Sequence, residues 1–172
     1  MKFRELFEMP EGIQELKDGF RYIRFEIEDQ ITAGNKPREI GNGIKKIDTG
    51  SELFYWIEDG QEIVLAVNLI KGSDSVIVKV TAKRYEGKPP YASDLYLAIL
   101  NDQPKPVKFM GDKQLTAKAL RIWKRLLTMG YDIGVYDDNN RMISKLNSVE
   151  ELMSFYKKSN QSFRRYQYVL GI

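Results

Sequence analysis

The order of short apolar runs between residues 52 and 137 constrains the fold of this chain more than any other feature. Two of the runs flank Asp59-Gly60, a dipeptide typical of tight hairpin turns in which the backbone needs positive φ. A third run, residues 76–83, alternates with period two and places four apolar residues on one predicted face, namely Val76, Val78, Val80 and Ala82. The three runs together predict an antiparallel meander of strands.

Helical and strand patterns alternate after the meander. A basic loop at residues 84–93 leads into a helix that ends near residue 101, and a short apolar run follows at residues 107–110. The longest amphipathic helix is predicted at residues 112–129, with a glycine directly after it. Because a parallel strand pair needs a helical crossover, the runs at 76–83 and 107–110 are expected to lie side by side and parallel.

The segments outside this core are predicted from weaker patterns. Residues 1–18 are weakly helical, and residues 20–27 alternate like a strand. Residues 29–51 hold enough glycine and charge to predict a long loop or a lightly structured excursion, and a lid over a site is one role for such a loop. Residues 165–170 are a predicted final strand, preceded by a helix that Ser148 and Glu151 cap. We predict a single α+β domain over residues 1–172, with a central mixed, mainly antiparallel sheet and helices on both faces.

The composition excludes several kinds of active site. The chain has no cysteine and no histidine, which removes disulfides, thiolate metal sites, and serine–histidine or cysteine–histidine hydrolysis. We therefore expect no metal site. A formal net charge of +3 permits an anionic partner without requiring one. Residues 1–12 lack the apolar core of a secretory signal, so a cytoplasmic protein is expected.

The basic loop and the helix after it carry a family resemblance. The loop Arg84-Tyr85-Glu86-Gly87-Lys88-Pro89 resembles the Arg/Gln-x-x-Gly-x-Gly/Ala loop of the GCN5-related N-acetyltransferases, and residues 116–131 resemble the helix and strand start of that family. The resemblance implies a fold in which the loop holds the pyrophosphate of acetyl-CoA. It implies a cofactor site made of Arg84, Gly87 and Lys88 at the pyrophosphate, with Val80 and Ala82 along the pantetheine arm.

Two departures from the family pattern affect this cofactor site. Pro89 and Pro90 have no N–H, so two backbone donors are missing where phosphate oxygens would need them. The family's tyrosine, which protonates the departing thiolate, corresponds to Trp123, whose indole N–H is no acid near neutral pH. We expect a GNAT-like protein with a degenerate loop that acts through binding rather than catalysis. No catalytic residue is assigned, and the alternative is an active acetyl-CoA-dependent N-acetyltransferase.

Basic residues on the long predicted helix and near the C-terminus offer a third function. The helix carries Lys118, Arg121, Lys124 and Arg125, and the C-terminal region interleaves basic residues with tyrosines. Such a surface is able to bind a nucleic-acid backbone and stack on bases, although a solvated helix face explains the same pattern. Trp56 and Trp123 are expected to be core residues.

The first eight residues resemble the short leaders of internal head proteins in large tailed phages. In those proteins a maturation protease cuts after Leu/Ile-x-Glu, which corresponds here to Leu6-Phe7-Glu8. Residues 87–96 and 115–130 are also similar to uncharacterised phage proteins of the acetyltransferase fold. The resemblance implies a phage protein in the host cytoplasm or the phage head, with a host protein or nucleic acid as a further candidate partner.

Overall fold

Nine strands form one mixed sheet in the part of the chain that the computed structural model describes, residues 14–112, 115–162 and 165–171. The strands are β1 (Arg38–Gly41), β2 (Ile44–Asp48), β3 (Glu52–Asp59), β4 (Glu62–Lys71), β5 (Ser75–Lys83), β6 (Lys108–Met110), β7 (Gly134–Tyr136), β8 (Met142–Lys145) and β9 (Gln167–Leu170). The helices are α1 (Gln14–Thr32), α2 (Ala92–Asp102), α3 (Ala117–Thr128) and α4 (Val149–Ser162). The predicted leader at residues 1–8 lies outside the described residues.

The sheet has the strand order β1-β2-β3-β4-β5-β6-β9-β7-β8. The predicted meander is confirmed as β3, β4 and β5, and Gly60 takes a φ of +63° in the turn between β3 and β4. Strands β5 and β6 are parallel, with Val76 opposite Phe109, and α2 connects them, which confirms the predicted crossover pair. The other neighbouring pairs among the described strands are antiparallel.

Helices cover both faces of the sheet. Helix α1 packs its buried Ile23 and Ile27 on one face, where they join Phe54 and Trp56 of β3. Helices α2, α3 and α4 pack on the opposite face, and their apolar residues form the largest buried cluster together with the alternate residues of β3. Trp56 and Trp123 are each 1% exposed, so both are core residues as predicted.

Two predictions for the N-terminal third are wrong. Residues 20–27 are helical, because Ile23 and Ile27 are one helical turn apart and both are buried against the sheet, while Phe25 between them is 47% exposed. The predicted loop at residues 29–51 instead contains the end of α1 and a β1–β2 hairpin. Gly41 and Gly43 serve the turn of this hairpin, where residues 41–43 all take positive φ, while Gly34 follows α1 and Gly50 lies between β2 and β3, so the segment is not a long lid.

Smaller differences concern element ends. The long helix begins at Ala117 rather than residue 112, because the Thr116 Oγ1 accepts a hydrogen bond from the Ala119 N–H at 3.1 Å and caps it there. Strand β8 was not expected from the sequence. Helix α4 begins with the predicted cap, since the Ser148 Oγ accepts from the Glu151 N–H at 3.2 Å.

A bulge in β5 changes which face its side chains occupy. The register between β4 and β5 shifts by one residue, so Lys79 has no partner across the pair. Val76 and Val78 therefore pack with α2 and α3, whereas Val80 and Ala82 pack on the α1 face. The prediction that these four residues share one face is wrong, because period two does not continue through a bulge.

Candidate functional site

The second half of β5 has one open edge. Strand β6 pairs with only the first three residues of β5, Ser75 to Ile77. In the described part of the chain, residues 78–83 pair with β4 on one side, except for Lys79 at the bulge, and with no strand on the other. The backbone of β5 is thus exposed to a ligand along the edge that leads to the basic loop.

The two predicted pantetheine residues lie on this open segment. Ala82 is buried and Val80 is half-buried, and both side chains pack against the α1 face. Their side chains are therefore part of the core. Their backbone N–H and C=O groups bond to Ala66 and Asn68 of β4, so the backbone groups that face the open edge belong to the alternate residues Thr81 and Lys83.

Arg84 is engaged by β4. Its guanidinium forms an ion pair with Glu62, which lies on β4, and stacks 5.3 Å from the centroid of the Tyr85 ring. Its backbone N–H donates to the Val64 carbonyl at 2.9 Å. Arg84 therefore extends the sheet, and a role at the pyrophosphate would require it to leave Glu62.

Gly87 and Lys88 occupy the turn of the loop. Gly87 has a φ of +69° and open space where a Cβ would be, so a glycine is needed here for its conformation and the loop is accessible. Lys88 is exposed, and its carbonyl accepts a hydrogen bond from the Lys83 Nζ. Lys83, rather than Arg84, is the cation at the inner side of the loop.

Cations from α3 converge on the same loop. We name Lys83, Lys118, Arg121 and Arg125 the loop–helix cluster. The Tyr91 ring lies between two of its members, with the Arg125 Cζ 3.9 Å and the Lys83 Nζ 4.9 Å from the ring centroid. Lys118 forms an ion pair with Glu86. The four cations outnumber the two carboxylates that act on them, Glu86 and Asp94, which makes this face of α3 attractive to an anion.

The electrostatics of the loop agree with this arrangement. The hydrogen bond from Lys118 lowers the pKa of Glu86, and the charges of Arg121 and Lys83 act in the same direction. Burial lowers the pKa of Lys83, and the nearby Arg125 lowers it further. Glu86 is thus an anion supplied by the chain itself, and it is held at Lys118.

The N-terminus of α2 faces the end of the loop. Tyr91 is the N-cap residue in an extended conformation, and no side chain caps the helix there. The first N–H groups of a helix have no partner within the helix. In the first turn, the Ser93 hydroxyl is 1% exposed and has no hydrogen-bond partner. Free N–H groups, an unpaired hydroxyl and nearby cations are together suited to bind an oxyanion.

Part of this site was not expected from the sequence. The sequence assigns no role to Tyr91, and for the α3 cations it predicts either a nucleic-acid surface or a solvated helix face. The structure engages two of those four cations at the loop, Lys118 with Glu86 and Arg125 with Tyr91. The sequence contains one signal for this cluster, because residues 118, 121 and 125 have the spacing of side chains on one helix face.

A second polar group lies under α1, beside the bulge. The Lys79 Nζ donates to Glu52 Oε1 at 3.0 Å, and the Asn68 Nδ2 donates to Glu52 Oε2 at 3.2 Å. Asn68 is completely buried, and its Oδ1 has no hydrogen-bond partner. Burial raises the pKa of Glu26 on α1, although Lys79 opposes the shift. These residues place a carboxyl group with raised proton affinity near the open strand.

The aromatic residues behind the site are poor proton donors. Trp123 is buried among Tyr96, Phe109 and Tyr168. The Tyr96 hydroxyl is paired with the Thr81 hydroxyl at 2.7 Å, and burial raises the Tyr96 pKa above its ordinary value. Neither side chain is placed to release a proton near neutral pH.

In the described ranges, no group of three or more acidic side chains is placed to hold a metal ion. None of the described helices combines the length and apolar character needed to cross a membrane. No protein-family model, no curated protein and no solved structure matches the chain.

Proposed function

We propose that this chain is a GNAT-like protein that acts through binding rather than catalysis, and that its ligand is a phosphate-bearing molecule such as acetyl-CoA. The loop–helix cluster around the N-terminus of α2 is the observation that carries the proposal. Ligand phosphates would replace Glu86 at Lys118. The rest of the ligand would lie along the open edge of β5.

The likeness to the acetyltransferase fold is supported by strand pairing. That likeness required the strands at 76–83 and 107–110 to be adjacent and parallel, and β5 and β6 meet this requirement. The early separation of β5 from β6 leaves an edge where a pantetheine arm has backbone groups to bind. Strand order alone does not establish an activity, so the function is argued from the site.

The chemistry of the loop supports weak binding over catalysis. Pro89 and Pro90 remove two N–H donors. Each charge-assisted hydrogen bond contributes about 1.5–3 kcal/mol, so the loss of two corresponds to roughly two to four decades in affinity. We therefore expect acetyl-CoA to bind with a Kd no tighter than about 100 μM, above the low-micromolar end of enzyme KM values.

Calorimetry with acetyl-CoA tests this function. Gly87→Glu introduces a negative charge and a side chain at the turn of the loop and should weaken binding further. Gly43→Glu is the matched control, because Gly43 has a φ of +70° and open space, nearly the same as Gly87. Glu86→Gln should strengthen binding by about threefold or more, since it removes a competing carboxylate from Lys118.

The outcomes separate the two functions. Weak binding that responds to residues 86 and 87 but not to residue 43 supports the proposal. A Kd below about 10 μM that Gly87→Glu abolishes would overturn it in favour of an enzyme, since such affinity is ordinary for substrates. Absence of any heat at millimolar acetyl-CoA would contradict anion binding at this loop.

An active N-acetyltransferase is the second candidate, and Glu26 is the observation that favours it. Its carboxyl group lies on α1 near Lys79 at the bulge of β5, and burial raises its pKa, as a general base requires. This function predicts release of free thiol from acetyl-CoA when an amine acceptor is present. Glu26→Gln should then slow release by about 10²–10⁴-fold. No thiol release above the uncatalysed rate would exclude it for the amines tested.

A further inference from the structure

A cavity lies at the other end of α2, away from the loop–helix cluster. It has a volume of about 300 Å³ and is bordered by the β4–β5 turn, the end of β2 and the segment after α2. Its apolar walls include Leu53, Val76 and Val107. Apolar walls with a few polar groups at the rim are typical of small-molecule sites, and this volume is at the lower end of their range.

Cations outnumber carboxylates around this cavity. Its lining includes four basic and two acidic residues, Arg38, Lys46, Lys71, Lys105, Asp48 and Asp102. Lys71 pairs with Asp48 at 3.0 Å, and Lys46 pairs with Asp102 at 2.6 Å. These two pairs leave the charges of Arg38 and Lys105 in excess, and both side chains are exposed at the rim.

The Lys46–Asp102 pair is built into the core. Lys46 is 8% exposed, and the Asp102 Oδ2 also accepts a hydrogen bond from the Tyr55 hydroxyl at 2.8 Å. The Gln103 Nε2 donates to the same hydroxyl at 3.1 Å. Burial raises the Tyr55 pKa, and the bond to Asp102 raises it further, so this hydroxyl stays protonated. The network holds Asp102 at the C-terminal end of α2, where the helix dipole alone would disfavour a carboxylate.

Fixing Asp102 in this way leaves the rim cations available. Arg38 forms a long, exposed ion pair with Asp102, in which the Nη2–Oδ1 distance of 3.8 Å exceeds that of a direct hydrogen bond. The Lys105 Nζ donates to the Ser73 carbonyl at 3.1 Å, and within the described residues it forms no ion pair. Both cations are long and flexible side chains beside an apolar cavity, which is an arrangement suited to an anion with an apolar body.

We propose that this cavity binds a small molecule with an apolar body and an oxyanion group, with the oxyanion at Arg38 and Lys105. A cavity of roughly 150 Å³ accommodates benzene, so this cavity has room for an aromatic ring and one phosphate. The site is independent of the proposed function. The loop–helix cluster and this cavity lie at opposite ends of α2, an 11-residue helix about 16 Å long.

Titration with phenyl phosphate, followed by amide chemical shifts of the ¹⁵N-labelled full chain, tests the proposal. Saturable shifts are expected for residues 72–76 and for Asp102, Gln103, Lys105 and Val107, with a Kd of about 1 mM or tighter. Benzoate should bind more weakly if the site favours phosphate, and equally well if any oxyanion suffices. Benzyl alcohol, which has a ring but no charge, should bind at least about tenfold more weakly.

Variants connect the shifts to the rim cations. The double substitution Arg38→Gln/Lys105→Gln should weaken phenyl phosphate at the cavity by about tenfold or more. The control Lys124→Gln/Arg141→Gln removes the same charge from two exposed residues that do not line the cavity, and it should leave this affinity unchanged. All four substituted side chains are exposed, so these variants are expected to fold.

Two results would overturn the proposal. One is a saturable response confined to residues 84–93, which would mean that phenyl phosphate binds only at the loop–helix cluster. The other is an equal loss of affinity in both double variants, which would mean that only overall charge matters. In either case the Lys46–Asp102 network would serve only to hold α2 against the sheet.

Discussion

Lys46→Met should destabilise the fold far more than the same substitution at its neighbour. Lys46 and Asp102 side chains are 9% and 16% exposed and lie 2.6 Å apart. Removing one partner of a buried pair costs about 3–5 kcal/mol, because the other charge is left uncompensated. Asp102 keeps its bond from Tyr55, so we expect the lower end, about 3 kcal/mol. For a chain of this size that corresponds to a fall in Tm of roughly 6–12 °C.

Lys45→Met is the matched control. Lys45 also pairs with a carboxylate, the Oε2 of Glu58 at 2.7 Å, but its side chain is 39% exposed and that of Glu58 is 26% exposed. Exposed pairs contribute about 1 kcal/mol or less. Urea unfolding followed by far-UV circular dichroism gives both free energies. If Lys46→Met costs no more than Lys45→Met, the buried network does not stabilise the fold as argued.

A double-mutant cycle then isolates the pair itself. Lys46→Met combined with Asp102→Asn should cost less than the sum of the two single substitutions, because the second change removes the charge that the first leaves unpaired. The expected coupling is about 1–3 kcal/mol. Additive free energies would show that Lys46 acts through its packing on Tyr55, whose ring centroid is 5.3 Å from the Lys46 Nζ.

Two further predictions concern stability. Gly111→Ala should destabilise the fold by about 1–3 kcal/mol, because the new Cβ would lie 2.7 Å from Cζ2 of Trp123. Gly19→Ala within α1 meets no atom within 4 Å, so it should stabilise the fold by about 0.5–1 kcal/mol. Thermal unfolding of both variants checks the contrast. The hydrogen bond from the Asn147 N–H lowers the pKa of Glu151. The stabilisation of the fold by this bond is therefore present above the pKa of the unfolded state, about 4.3, and is lost as the pH falls through the lower pKa of the folded state. The stability difference between the wild type and Glu151→Gln should therefore be seen at pH 7 and shrink as the pH falls below about 4.3, and a difference that stays constant over this range would contradict this cause.

Local signals in the sequence predicted the middle of the fold well. The β3–β4 hairpin follows from Asp59-Gly60, and the crossover from β5 to β6 follows from a helical pattern between two apolar runs. Residues 20–27 fit both period two and a helix with Ile23 and Ile27 in contact with the sheet. Burial against β4 and β5 decides between these, and the local sequence does not contain that information.

The sites depend on contacts between residues far apart in the chain. Arg125 stacks on Tyr91, and Lys46 bonds to Asp102 across 56 positions. Such pairs follow from the packing of α2 against both the sheet and α3, so composition and spacing cannot identify them. The bulge at Lys79 could not be predicted from the sequence either. The residues around it continue the apolar alternation of β5, while the register of β5 against β4 shifts by one residue.

Amide chemical shifts during titration with coenzyme A test the central claim most directly. We expect weak, saturable shifts at Gly87, Lys88, Ala92 and Ser93, with smaller shifts along residues 78–83 of β5. The affinity should fall as salt is raised, because the contacts are with phosphates. Saturable shifts elsewhere, with residues 84–93 unmoved, would contradict the claim that the β5–α2 loop and α3 form the ligand site.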